Sequence, residues 1–289
     1  MSYRIITDSC ANLTDELIES LDLDIIPLSY YIGDKEYIGY QKGVPTDYKT
    51  FYDLARKREK ITTSQITYEA FEKAFTDVLE TGNDFLYIGF SSGLSGSYQA
   101  ALRVAKDLQK KYPDRKMMVV DSLCASMGQG LLVYHAVQRK NEGKTLEEVA
   151  KWVEDNKLRL VHWFTVDDLF FLKRGGRVSA TSAVAGTILG IKPVLHVDDE
   201  GHLILMEKVR GRKASLNALI NHMIETIQDA AQQVIFISHG DCIEDAKYIA
   251  EKVRQAINVK DIIINYIDPV IGAHSGPGTA ALFFLGSKR

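Results

Sequence analysis

A chain of 289 residues, with 46% hydrophobic and 25% charged residues, can fill two packed cores. Its net charge of −3 gives no general attraction to nucleic acid or to an anionic membrane, and no apolar run approaches the ~20 residues of a membrane span. The three cysteines, Cys10, Cys124 and Cys242, are far apart and odd in number, the pattern of reduced structural thiols in a cytoplasmic protein.

The chain enters a strand at Tyr3-Arg4-Ile5-Ile6 with no signal-peptide pattern before it, which again leads to the expectation of a cytoplasmic location. Further strand-like apolar runs start at Asp24, Asp84 and Lys116. Between them, Leu17, Ile18 and Leu21, then Phe71, Ala74, Phe75, Val78 and Leu79, fall at helical spacing. Thr14 and Thr67 read as N-caps and Gly82 as a C-terminal stop. Thr145-Leu146-Glu147-Glu148 has the capping-box pattern. This alternation predicts an α/β/α three-layer domain with a mostly parallel sheet over residues 1–157.

The grammar changes after residue 157. Leu160 to Thr165 reads as a strand. Lys192 to Val197 and His202 to Val209 read as a hairpin closed by Asp198-Asp199-Glu200-Gly201. A long helix from about Lys213, a strand at Val234 to Ser238, another helix, a strand at Asp261 to Tyr266 and a buried terminal strand at Thr279 to Leu285 complete the chain. A hairpin combined with crossovers predicts a second α/β domain with a mixed sheet over residues 158–289.

The chemistry concentrates at strand ends. The run Asp84 to Phe90 leads into Ser91-Ser92-Gly93-Leu94-Ser95-Gly96-Ser97, and Tyr98 to Ala105 continues as a helix. Free backbone N–H groups and the partial positive charge of a helix start favour an anionic group there. The loop lacks the lysine of a nucleotide P-loop, is not GxGxxG, and is not the GxSxG elbow of hydrolases. An ordinary turn with capping serines is the competing reading. Thr62-Thr63-Ser64-Gln65 sits at a helix approach, where its hydroxyls either hold an anion or satisfy the local backbone. Thr7-Asp8-Ser9 and Asp121-Ser122, followed by Gly128-Gln129-Gly130, place similar small polar residues at two more strand ends. In a parallel sheet such ends converge on one edge, where ligands bind.

Asp8 and Asp121 lack neighbours at metal-ligand spacing, so capping or turn support is their expected role. A Ser95, His274 and Asp8 set exists on paper, as it does in any serine-rich chain. Leu172-Lys173-Arg174-Gly175-Gly176-Arg177 reads as a helix C-cap with cations near the last carbonyls, or as a docking surface or phosphate clamp. The tail Gly272-Ala273-His274-Ser275-Gly276-Pro277-Gly278 carries one histidine among small residues, with His239 as the competing strand-end histidine.

The segments Thr7-Asp8-Ser9, Thr63-Ser64-Gln65, Ser91 to Gly96, Asp121-Ser122 with Gly128 to Gly130, Leu172 to Ser179, Ile191-Lys192-Pro193, Arg210 to Lys213 and Gly272 to Gly278 run in order through the whole chain. As a set they resemble the DegV family of bacterial fatty-acid-binding proteins. The resemblance implies one long-chain fatty acid, such as palmitate or oleate, buried in an apolar tunnel, with no other cofactor and no metal. Its carboxylate would be held by Thr63, Ser95 and His274, with Ser64, Ser92 and Gly96 in support. A separate ATP-dependent fatty-acid kinase would phosphorylate the bound acid, and the carrier would take the acyl phosphate toward phospholipid synthesis. By the same resemblance Lys173, Arg174 and Arg177 would face the kinase, and the chain itself would not be an enzyme. Ala183, Val184, Ile188, Leu189 and either Phe283 or Phe284 are candidate tunnel residues. An acyl or phosphoryl transferase using Ser95 or His274, and a fatty-acid-sensing regulator, are the alternatives. Two positions depart from the pattern: Ile66 stands where proline is common, and Asn12 where aspartate is frequent.

Overall fold

A computed structural model describes residues 2–178 and 190–289. The candidate tunnel residues Ala183, Val184, Ile188 and Leu189 lie outside this range. In the first half the elements are β1 (Tyr3–Asp8), α1 (Asp15–Ser20), β2 (Asp24–Ile26), β3 (Ser29–Ile32), β4 (Lys35–Ile38), α2 (Tyr48–Arg56), β5 (Ile61–Ser64), α3 (Tyr68–Glu80), β6 (Asp84–Gly89), α4 (Ser97–Lys111), β7 (Met117–Asp121), α5 (Met127–Asn141) and α6 (Leu146–Asn156). The four strands read from apolar runs form one sheet in the order β2-β1-β6-β7, parallel throughout, with Ile5 opposite Leu86 and Leu86 opposite Met118. All six residues of β6 are buried, which is why it reads as a continuous apolar run rather than an alternating one.

The predicted caps are in place. Thr14 Oγ1 accepts from the Leu17 N–H and Thr67 Oγ1 from the Ala70 N–H. Thr145 and Glu148 form the reciprocal capping box. Gly82, at φ +82°, follows the end of α3 in the left-handed region.

The structure adds a second sheet that the sequence reading lacks: β4-β3-β5, antiparallel, with the first hairpin turned at Gly33-Asp34. Strands of four residues are too short to display a period of two. Thr62 and Thr63 therefore belong to an edge strand, not to the approach of a helix. This small sheet, together with α2, packs against the helix that carries His274.

The second half contains β8 (Leu160–Thr165), α7 (Phe170–Arg174), β9 (Ile191–Val197), β10 (Leu203–Arg210), α8 (Arg212–Thr226), β11 (Val234–His239), α9 (Ile243–Ala256), β12 (Asp261–Tyr266), α10 (Pro269–Ser275) and β13 (Ala280–Leu285). Its sheet runs β10-β9-β8-β13-β11-β12 and is mixed, since β11 and β12 are parallel and the remaining pairs antiparallel. The terminal strand β13 lies between β8 and β11, in the middle of the sheet.

Helix α5 joins the two halves. It packs against β1 and β6 on one side and β8, β11 and β13 on the other. Leu131, Leu132, Val133, Ala136 and Val137 are all buried, so the helix is apolar around its circumference. Gly130 lets it approach the Ala11 carbonyl, where a methyl group would collide. No helix among the described residues is long and apolar enough to cross a membrane.

Candidate functional site

A cavity of about 200 Å³ opens at the C-terminal edge of the parallel sheet, against the inner face of the mixed sheet. This is where a parallel α/β sheet is expected to bind a ligand. The loop after β6 contributes Phe90, Leu94, Ser95 and Gly96, and the loop after β7 contributes Ala125 and Ser126. The end of β5 supplies Thr63 and Ser64, followed by Gln65, and α10 supplies Val270, Ile271 and His274. From the mixed sheet come His162, Phe164, Val197, Ser238, Ala281 and Phe283.

The polar groups are sorted to one end. Thr63 Oγ1 lies 2.8 Å from His274 Nε2. Gln65 and Gly96 are exposed, and Thr63, Ser64, Ser95, Arg177 and His274 are half-buried, so this end opens to solvent. Of the deeper polar groups, His162 and Ser126 are satisfied by the protein, whereas the buried Ser275 Oγ in the same wall has no partner among the described residues. His162 Nε2 accepts from the Ala125 N–H and its Nδ1 bonds the Leu160 carbonyl. The Ser126 hydroxyl donates to Asn12 Oδ1 at 2.8 Å. Leu28, Phe90, Leu94, Phe164, Leu172 and Phe283 supply the apolar body.

The serines of the loop after β6 divide their tasks. Ser91 Oγ donates to the Gly201 carbonyl and accepts from the Gly93 N–H, which holds the turn. Ser97 Oγ accepts from the Ile66 N–H and bonds Ser95 Oγ at 3.0 Å. The Ser92 N–H donates to Asp121, and Ser92 is not part of the cavity wall. Ser95 is the loop hydroxyl that lines the cavity. Gly96 lies against the end of the exposed Gln65 side chain, where a methyl would make the Gln65 amide shift.

His274 is neutral at physiological pH: burial first, then the charges of Arg177 and Arg174, push its pKa down to about 4. Its Nδ1 is buried with no partner among the described residues, and it lies where a side chain on Gly175 would begin. The first glycine of the diglycine is therefore a close-approach residue. Replacing Gly175 by alanine should displace the imidazole from Thr63 and destabilise the protein by about 1–3 kcal/mol. Thermal unfolding and the His274 ring resonances would report this; an unchanged ring environment would disprove it.

Asp8 accepts from the Cys10 and Phe90 N–H groups and from the Tyr87 hydroxyl, so it braces the loops beneath the site and does not reach His274. Ser95, His274 and Asp8 share no hydrogen bond. Asp121 accepts from the Ser92 and Leu123 N–H groups. Among the described residues no group of His, Cys, Asp and Glu could hold a metal ion. His239 packs on Tyr266 with ring centres 4.2 Å apart, outside the cavity. Burial raises the pKa of all three cysteines, to about 11 for Cys124 and about 12 for Cys242, so none is a ready thiolate. Phe283 faces the cavity, whereas Phe284 faces the opposite core. Lys173 and Arg174 stand exposed on α7, with the Arg174 guanidinium over the rings of Phe170 and Phe171. Arg177 instead lines the cavity. His162, Phe164 and Ala281 were not legible as wall residues, because β8 and β13 are buried on both faces and show no alternation.

A model of the DegV family, described as a family of uncharacterised proteins, matches residues 2–287. The chain belongs to the DegV family. It is 45% identical over 287 residues to a DegV domain-containing protein of Clostridium perfringens, covering 99% of this chain and 98% of that protein. The fold is similar to that of a DegV lipid-binding protein from Thermotoga maritima, with a TM-score of 0.87, 30% identity and full coverage of both chains. It is also similar to a DegV family protein from Thermus thermophilus described for fatty acid binding, with a TM-score of 0.89 and 27% identity over 99% of this chain and 100% of that one. The two departures from the DegV pattern have local explanations. The Ile66 N–H donates to Ser97 Oγ, a bond proline cannot make. Asn12 occupies the left-handed region at φ +48°, and its side chain joins Ser9, Ser126 and Asp268.

Proposed function

We propose that this protein binds a long-chain fatty acid, such as palmitate or oleate, with its carboxylate at the polar end of the cavity and its acyl chain in the apolar body. The observation that carries this reading is the Thr63–His274 pair, beside Ser95, at the solvent-facing end of an otherwise apolar cavity. The fatty acid and lipid binding described for the Thermus and Thermotoga proteins supports it. Burial of an acyl chain contributes about 0.8 kcal/mol per methylene, on the order of 10 kcal/mol for ~14 methylenes before the cost of association. Thr63, Ser95 and neutral His274, with Ser64 and Gly96 beside them, are neutral partners for the head group, which leaves the carboxylate nucleophilic.

In this reading the open polar end presents the carboxylate to a separate ATP-dependent kinase. A carboxylate oxygen attacks the γ-phosphorus of ATP, ADP leaves, and the acyl phosphate stays on the carrier for phospholipid synthesis. Lys173 and Arg174 on the exposed face of α7 form the docking surface for that kinase. The chain acts as a cytoplasmic carrier in two domains, residues 1–157 and 158–289, and supplies no catalytic group of its own.

Solvent extraction of the purified protein followed by mass spectrometry tests the reading. A long-chain fatty acid should be recovered, and Thr63→Ala, Ser95→Ala and His274→Ala should each weaken binding of added palmitate by about tenfold, the equivalent of one hydrogen bond to a charged group. Absence of any bound acid, with no uptake of palmitate or oleate, would overturn the carrier reading. Unchanged affinity in all three variants would remove these residues from the head-group site.

A further inference from the structure

Two hydroxyls in the loop after β6 share one hydrogen bond, and their surroundings fix which of them donates. Ser97 is fully buried, at 0% exposure, whereas Ser95 is half-buried in the cavity wall. Their oxygens lie 3.0 Å apart, so one donates to the other. Ser97 Oγ already accepts from the Ile66 N–H at 3.3 Å, and Ser95 Oγ accepts from the Ser97 N–H at 3.3 Å. Each hydroxyl has a single proton to give and two lone pairs to receive.

If Ser95 donated to Ser97, the Ser97 proton would be left inside the protein with no acceptor among the described residues. A buried donor without a partner is unfavourable. If Ser97 donates to Ser95, its proton is used, and the proton left over belongs to Ser95, in the cavity wall. The second arrangement therefore prevails. It makes a directed chain in which the Ile66 N–H donates to Ser97 Oγ and the Ser97 hydroxyl donates to Ser95 Oγ. Ser95 then receives two hydrogen bonds, from the Ser97 amide and the Ser97 hydroxyl, which fill both of its lone pairs. Toward a ligand it can only donate, and each bond in the chain polarises the next. A hydroxyl held in this way suits a head group that only accepts, which is an ionised carboxylate.

We propose that Ser97 is a positioning residue for the head group: its hydroxyl fixes Ser95 as a donor to the ligand carboxylate. This assignment rests on the carrier reading above. The test is a double-mutant cycle on the full chain, read by calorimetric titration with palmitate and by the carboxyl resonance of bound [1-13C]palmitate. Ser95→Ala should weaken binding about tenfold and Ser97→Ala about three- to tenfold, each moving the carboxyl resonance. The Ser95→Ala, Ser97→Ala pair should bind within about twofold of Ser95→Ala alone, because Ser97 acts only through Ser95. Ser97→Thr, which keeps the hydroxyl, should restore the tenfold cost of Ser95→Ala. Ser97→Ala leaves the Ile66 N–H without its acceptor, so thermal melting accompanies each titration. Should that variant fail to fold, the same cycle in Ile66→Pro, which has no N–H to satisfy, gives the coupling. Losses that multiply in the double variant, or a Ser97→Ala variant with unchanged palmitate affinity, overturn the assignment while leaving the carrier reading intact. Wild type that takes up no palmitate overturns both.

Discussion

Lowering the pH from about 6.5 to about 4 is expected to unfold the protein in a cooperative transition. Five of the seven histidines have depressed pKa values. His135, His196, His239 and His274 are each pushed down to about 4, chiefly by burial, and buried His162 lies well below the ordinary value. A base whose folded-state pKa is depressed binds its proton first in the unfolded chain. The stability these groups contribute is therefore present above about 6.5 and is lost as the pH falls toward 4. Each of the four contributes up to about 3 kcal/mol in this window, and together they rival the whole stability of a typical domain. Near- and far-ultraviolet circular dichroism across this range would follow the loss. A chain that keeps its near-neutral melting temperature at pH 4 would contradict it.

Asp268 acts in the opposite direction, and its replacement should stabilise the protein at neutral pH. It caps α10: Oδ1 accepts from the Ile271 N–H at 3.0 Å, while Oδ2 is buried with no partner among the described residues. Burial raises its pKa from 3.8 to about 6, against the hydrogen bonds from Ile271, Asn12 and Val270, and Asp8 pushes it up further. A carboxyl with a raised folded-state pKa favours the folded chain fully below about 3.8, and this advantage is lost as the pH rises through about 6. Asn at this position keeps the cap acceptor and removes the ionisation. Asp268→Asn should therefore be more stable than wild type at pH 7 by about 2–3 kcal/mol, with no gain at pH 4. Denaturant melts at the two pH values would show the difference. A variant less stable at pH 7 would mean that the ionised carboxylate is required there.

The elements legible in the sequence are those whose signals are local. Strands β1, β2, β6 and β7 announce themselves as apolar runs because helices cover both faces of a parallel sheet. Thr14, Thr67 and Thr145 each cap an amide within the same helical turn. The hairpin of β9 and β10 shows in the turn at Asp198 to Gly201 between two strand-like runs. By contrast β3, β4 and β5 are four residues each and partly exposed, so neither length nor alternation marks them. The end of β5 therefore carries only the local signal of a helix approach, although it is the strand that brings Thr63 to His274.

Taken alone, the sequence determined the α/β class, the parallel and mixed character of the two main sheets, the helix caps and, through the order of its short motifs, membership of the DegV family. All of these depend on residues close together in the chain or on motif order. Only the tertiary structure decided which polar groups share a cavity. Thr63 and His274 are 211 positions apart and meet because β5 and α10 pack together. Only the structure separated Ser95, which lines the cavity, from Ser91 and Ser97, which hold the turn. It also set Arg177 in the cavity wall, apart from Lys173 and Arg174 on the exposed face of α7. Such placements follow from the joint packing of distant segments, which no local pattern encodes.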